Sequence, residues 1–283
     1  GTKSSTMFQL HYYTSLWNYL HHQESNSLEE VIREVHSNGF DVELWPFFLS
    51  LDPYTPSRQT SPGLSESDLG DLFLARYRER LRTAVGGVPT TWHSRGTSER
   101  PMVRTFEGHK EQIDTAAYIG STIISVHDIG ENVTNRYVGE DLGMARKVLA
   151  YASERGVILA LETADFDACK RATDELEELR ICLDPAYIHH YSGHTIGEYL
   201  DAFSDRISYL HLYDSTTEIS HLTPGSGDVP QEDWLCLLAY LKESGYGGPA
   251  AFEIHPPSCK SEQTALEAVV EAREFLNSLL STV

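Results

Sequence analysis

Short apolar runs of strand length alternate with longer amphipathic stretches along the whole chain, which is the pattern of successive parallel βα units. Eight runs are predicted as strands: Phe8–His11, Phe40–Leu44, Val88–His93, Thr122–His127, Val157–Glu162, Ile181–Asp184, Ile207–His211 and Ala250–Ile254. Most are rich in Val, Ile, Leu or Phe, as strands covered on both faces should be. Between them the periodicity predicts helices over Leu28–Ser37, 65–83, 104–119, 138–155, 167–179, 195–203, 230–244 and 262–281. Ser27 with Glu30 forms a capping-box pattern ahead of the first helix, and Gly39, Gly120, Gly156 and Gly245 each follow an amphipathic stretch, where a left-handed residue ends a helix. One insertion, about 46–64, is rich in Pro, Ser and Thr and reads as a long loop over one end of the strands.

Eight such repeats in 283 residues predict an α/β fold, a single (β/α)8 TIM barrel, for which ~250 residues is typical. Residues 8–283 form the catalytic barrel in this reading, and residues 1–7 are an N-terminal tail or a cloning remnant. The formal charge of −20 argues against nucleic-acid phosphates and anionic lipid as partners and favours neutral or cationic small molecules. No apolar run approaches the ~20 residues needed to cross a bilayer, and no signal-peptide stretch is present. Cys169, Cys182, Cys236 and Cys259 show no paired spacing, which fits reduced thiols and a cytoplasmic location. Assembly into a homo-oligomer stays open.

The chemistry sits at the strand ends. An ionisable side chain lies near the C-terminus of every predicted strand: His11, Glu43, His93, His127, Glu162, Asp184, His211 and Glu253. In a (β/α)8 barrel all eight ends converge on one face, so residues distant in sequence surround one cavity. Burying that many carboxylates and imidazoles without partners is costly, and a bound cation is a common remedy. Carboxylates with imidazole and no thiolate suit Mn2+, Mg2+, Co2+ or Zn2+ alike, and Mn2+ is the ion expected here.

Leu159–Glu162 followed by Thr163, then Cys182–Asp184, Leu210–Asp214 and Phe252–Glu253, resemble the successive metal-ligand motifs of the xylose-isomerase-like barrel superfamily of the sugar phosphate isomerase/epimerase type. The resemblance implies one divalent ion held by Glu162, Asp184, His211 and Glu253, with Glu162 and Glu253 also moving protons as the catalytic pair. It places Glu43, His93, His127, Tyr187, Asp214 and His221 around the substrate. In the endonuclease branch the positions of His93 and His127 take extra zinc ions. Two features depart from the epimerases. Tyr187 stands where a histidine usually follows the strand-six aspartate, and no arginine follows His211 in the stretch Tyr213–Glu218.

The activity this implies is isomerisation or epimerisation of a sugar, polyol or related hydroxy-carbonyl compound in carbohydrate metabolism, through a metal-stabilised enediolate. A metal-dependent dehydratase or lyase on a keto-polyol or dehydroshikimate-like substrate shares the first step and is the alternative. A phosphodiesterase of the DNA-repair kind would need a basic groove. Against it stand the acidic charge, Tyr187, and Ile219 in place of that branch's aspartate. A non-catalytic binding protein is the last reading, disfavoured because all four ligand positions hold competent residues.

Overall fold

The computed structural model describes residues 7–16, 28–44, 71–94, 105–129, 142–254 and 263–283. Their strands are β1 His11–Ser15, β2 Asp41–Leu44, β3 Thr90–His93, β4 Ile123–Val126, β5 Ile158–Leu161, β6 Arg180–Leu183, β7 Ile207–Leu212 and β8 Pro249–Phe252. The helices are α1 Leu28–Ser37, α2 Asp71–Val85, α3 Phe106–Ile119, α4 Gly143–Glu154, α5 Phe166–Glu175, α6 Pro185–Tyr191, α7 Ile196–Phe203, α8 Gln231–Ser244 and α9 Ala265–Leu280. Each strand pairs in parallel with its successor and β1 closes on β8, giving an eight-stranded barrel inside a ring of helices. No helix among the described residues is long and apolar enough to cross a membrane.

The apolar runs conceal a period of two, because successive side chains in a strand point to opposite faces. One set, including Val42, Ile124, Leu159, Leu161, Ile181, Leu183, Leu210, Leu212 and Phe252, packs outward into a continuous core with the helices. The other turns inward, where Tyr13, Ile123, Ala160, Cys182, Tyr209 and Ala251 fill the barrel as a separate cluster. Two residues after Ala160, Cys182, Tyr209 and Ala251 in sequence come Glu162, Asp184, His211 and Glu253. The inward row that is apolar or aromatic in the barrel's middle is therefore ionic one layer higher, at the C-terminal rim. Fold and site come from a single alternation.

Local chemistry fixes the ring around this. Thr105 caps α3 by accepting the Gly108 N–H, and Gly120, at φ 86°, closes that helix in the left-handed region that glycine enters without a Cβ clash. Thr195 with Glu198 and Thr264 with Glu267 form complete capping boxes at α7 and α9.

Two expectations change. The first strand runs His11–Ser15 rather than Phe8–His11, so His11 begins β1 instead of ending it. It lies at the opposite end of the barrel from the rim, half exposed and hydrogen bonded to Asp41. Apolar Phe8 and Leu10 drew the prediction too early, whereas the strand itself is aromatic and hydroxylic. Helix α6, absent from the prediction, follows β6 directly, with Asp184 as its cap and Pro185 in its first turn. The insertion at 46–64, Ser27 and Cys259 lie outside the described residues.

Candidate metal centre

The ends of β5, β6, β7 and β8 bring Glu162, Asp184, His211 and Glu253 together. Each offers a ligand atom within 4.8 Å of those of the other three, and all four residues are buried. His211 Nδ1 stands 2.9 Å from Glu162 Oε2 and 3.4 Å from Glu253 Oε2. Asp184 directs Oδ1 to the Tyr187 N–H at 2.9 Å, capping α6, and its Oδ2 has no hydrogen-bond partner among the described residues. Glu253 Oε1 has none either, the nearest imidazole nitrogen being His93 Nε2 at 3.6 Å. Buried carboxylate oxygens without donors are costly, and three carboxylates with one imidazole form a donor set suited to a hard or borderline divalent cation. The residues present fit such an ion.

His93 joins from β3. Its Nδ1 donates to the Ser94 carbonyl at 2.7 Å, which leaves the Nε2 lone pair facing Glu253 and, at 3.9 Å, Glu162. The ring lies 5.2 Å from that of His211 and nearly parallel to it, and the His127 ring stands 5.0 Å from that of His93, with Nδ1 3.8 Å from Glu162 Oε2. His93, Glu162 and His211 form an overlapping group of ligand atoms, so His93 widens the same site.

Burial pulls these groups in different directions. It drives the Asp184 carboxyl well above the usual carboxylate range, with Glu162 beside it adding to the rise. Burial likewise drives Glu253 up; His211 opposes this, but Glu43 and Glu162 reinforce it. Glu162 shows the reverse outcome, since His211, His127 and His93 outweigh its burial and hold it well below that range. His93 is pushed down to about 3 by burial and stays neutral. His211 is raised instead, because Cys182, Glu253, Glu43 and Glu162 around it overcome the cost of burial.

Three residues expected at the substrate make contacts within the protein. Glu43 is fully buried behind His211, accepting from its Nε2 at 2.8 Å and from the Tyr209 hydroxyl, so it supports the imidazole rather than lining the cavity. Asp214 is consumed by backbone: it accepts from the N–H groups of Ser215, Gly225 and Val229 at 2.8, 2.9 and 3.1 Å. These bonds organise the loop after β7, and a Cβ on Gly227 would lie 2.3 Å from Asp214 Oδ1, which is why the loop needs glycine there. The Tyr187 ring packs 5.1 Å from Tyr191 along α6, and its backbone serves Asp184.

His221 reaches the rim in the left-handed region, at φ 61°, and stacks 4.2 Å from the ring of Tyr213. Sequence reasoning quoted Tyr213 as part of a motif but gave it no role. Two residues beyond His211 it faces the same way, and burial, then Asp184, Glu162 and Glu253, keep its phenol protonated. The period of two from His211 was the signal that could have found it.

The structure is similar to several solved sugar epimerases. A D-tagatose 3-epimerase-like protein superposes with a TM-score of 0.64 at 17% identity, covering 97% of this chain and 98% of that one. An L-ribulose 3-epimerase gives 0.61 at 16% identity over 91% of each chain. D-psicose 3-epimerase from Clostridium cellulolyticum H10, solved with D-tagatose, gives 0.62 at 14% identity, covering 96% of this chain and 99% of that one. At these identities the likeness speaks to the fold. No curated protein sequence matches significantly. A family profile does match, over residues 29–279, and with the closed barrel this shows that the chain belongs to the xylose isomerase-like TIM barrel family.

Proposed function

We propose that the protein is a divalent-metal-dependent isomerase or epimerase of a sugar, polyol or related hydroxy-carbonyl compound. The observation that carries this reading is the pair Glu162 and Glu253. Both are buried beside His211 Nδ1, yet their surroundings push their proton affinities apart, Glu162 down and Glu253 up. Two carboxyl groups set in opposite senses at one site are the arrangement that acid and base chemistry requires.

When bound by Glu162, Asp184, His211 and Glu253, a divalent ion supplies a Lewis acid that polarises a carbonyl and acidifies the neighbouring C–H. In this reading Glu162 takes that α-proton and Glu253 is the group that returns one. Return to the same carbon from the other face inverts it; return to the former carbonyl carbon isomerises the substrate. His93, neutral with its Nε2 turned inward, accepts a hydrogen bond from a substrate hydroxyl. Tyr213 offers a phenolic donor, held by its stack on His221. The solved relatives named as ketose 3-epimerases support a ketose-like substrate, and the net charge of −20 supports a neutral one over a phosphodiester.

The test is turnover of ketoses, inososes and dehydroshikimate in D2O with Mn2+ present. The reading expects solvent deuterium at a carbon next to the carbonyl of the active substrate. An unsaturated product with release of water would assign the chain to the dehydratases instead. Turnover in which every carbon-bound hydrogen stays unexchanged would falsify proton transfer by this pair.

A further inference from the structure

The most unusual group in the barrel is Glu43. Its side chain has no exposure, nor has that of His211 with which it is paired. Placing a carboxylate there is costly in lost hydration before any interaction is counted. Its contacts are specific. One oxygen, Oε2, accepts from His211 Nε2 at 2.8 Å and from the Tyr209 hydroxyl, which is also hydrogen bonded to the Thr91 hydroxyl. Tyr209 precedes His211 by two residues on β7, and Thr91 precedes His93 by two on β3. A buried polar column thus rises through the barrel: Thr91, Tyr209, Glu43, His211.

His211 has two ring nitrogens with opposite surroundings. Nδ1 faces Glu162 and Glu253, within the cluster that offers ligand atoms; Nε2 stands 2.8 Å from Glu43 Oε2. An imidazole that binds a cation must present a lone pair on one nitrogen, and the other nitrogen then carries the proton. We propose that Glu43 is a positioning residue that holds the proton on His211 Nε2, fixing the tautomer whose Nδ1 lone pair faces the metal centre. Tyr209, donating to the same carboxylate oxygen and touching Thr91 beyond it, holds Glu43 in register beneath the ring. This inference rests on the metal-dependent reading above and extends it one layer deeper into the barrel.

Charge is the essential part. A glutamine at position 43 keeps the shape and can still accept from Tyr209, but its amide can turn to donate to Nε2, which stabilises the opposite tautomer and turns the lone pair away from the site. Carboxylate partners of metal-bound histidines are worth about 10–100-fold in metal affinity. Accordingly, Mn2+ dissociation constants measured by chelator competition should rise about 10–100-fold in Glu43→Gln. Tyr209→Phe, which removes only the donor beneath, should give a smaller rise. In the Zn2+-loaded wild type, 15N shifts of the His211 ring should report a protonated Nε2.

A merely structural Glu43 gives a different pattern. The Glu43→Gln protein would then melt at a lower temperature without metal while binding Mn2+ as tightly as wild type, and that result overturns the inference. So does a ring protonated at Nδ1 in the loaded protein. If the glutamine variant does not fold, Glu43→Asp replaces it: the charge remains but retracts by one methylene, and unchanged Mn2+ affinity there overturns the proposal equally. Failure of the wild type itself to take up any divalent ion is a separate outcome, which removes the metal-dependent reading and this inference with it.

Discussion

The barrel has an ionic cluster at each end, and the two are built on opposite terms. At the N-terminal end, Asp41 opens β2 between His11 of β1 and His36 at the end of α1, with His36 Nδ1 3.0 Å from Asp41 Oδ1. Both histidines are half exposed, at 53% and 51%, so water screens the charges and each oxygen of Asp41 has a partner. At the C-terminal end, Glu162, Asp184 and Glu253 surround a single fully buried ligand histidine, and two carboxylate oxygens have no donor. The first cluster is complete as it stands. The second leaves buried carboxylate oxygens without donors among the described residues, a deficit that a cation would fill. A histidine beside an aspartate therefore says little about function; solvent access and the balance of charge decide.

The largest effect expected from breaking this contrast is on turnover. Glu162→Gln and Glu253→Gln keep an oxygen ligand and lose the proton carrier, so turnover should fall by ~10^2-fold or more with metal saturating. Asp41→Asn should leave turnover within about a factor of two, since Asp41 lies at the opposite end of the barrel from the rim cluster. Steady-state rates on the active substrate decide. Near-normal turnover in both glutamine variants would make these carboxylates structural and pass the proton to His93 or His221.

Next in size is an acid effect from a histidine buried without any carboxylate. His109 on α3 is only 3% exposed, and burial alone pulls it down from 6.5 to about 4. The unfolded chain therefore binds a proton between those values that the folded protein refuses. This stabilisation is complete above pH 6.5 and is lost as pH falls towards 4, a span worth about 3 kcal/mol. Urea unfolding of wild type and His109→Phe across that range should show a flatter acid limb in the variant. Parallel curves would mean that other groups govern the acid limb.

Much of this was legible in the sequence, and the misses have physical causes. Strands buried on both faces are conspicuous apolar runs, so β2 to β8 were placed to within two residues at nearly every end. The aromatic and hydroxylic β1 was shifted because Tyr12, Tyr13 and Thr14 do not look like a core strand, although all are buried. Glu162, Asp184, His211 and Glu253 were legible as strand-end residues because each follows an apolar run, whereas the grouping of these four came from the resemblance; the fold brings their ligand atoms together. Sequence could place Glu43 on the same barrel end but not its depth, which depends on the register between β2 and β7 through the barrel interior. Asp214 looked available as a lone carboxylate after a strand; only the folded loop shows three backbone N–H groups directed at it. Helix α6 was signalled by Asp184–Pro185 and passed over because seven residues are too few to show a helical period.

Metal addition sharpens the contrast on the stability scale. Mn2+ at 100 times its dissociation constant should stabilise the fold by about 2.7 kcal/mol, reversed by chelation. The gain should persist in Asp41→Asn and largely vanish in Asp184→Asn or His211→Gln, because the candidate ligand groups among the described residues lie at the rim. Differential scanning calorimetry with and without chelator is the measurement. An unchanged melting temperature for wild type with millimolar Mn2+, Mg2+, Co2+ and Zn2+ in turn would count against the centre. Loss of the gain in Asp41→Asn would instead place a second ion at the N-terminal end.

The smallest effect should come from His36→Ala. The variant gives up one contact to Asp41, while His11 still bonds the other oxygen and water can replace the lost donor. Because His36 itself is half exposed, the pair should be worth about 1 kcal/mol, with part of the Coulomb gain cancelled by side-chain entropy and salt. Urea midpoints at low and high salt should therefore differ little between variant and wild type, and Mn2+ affinity should not change. A loss of several kcal/mol would show that Asp41 depends on His36 as a buried ion depends on its only partner. The two ends of the barrel would then obey one rule, and unsatisfied charge at the rim would no longer single it out as the functional end.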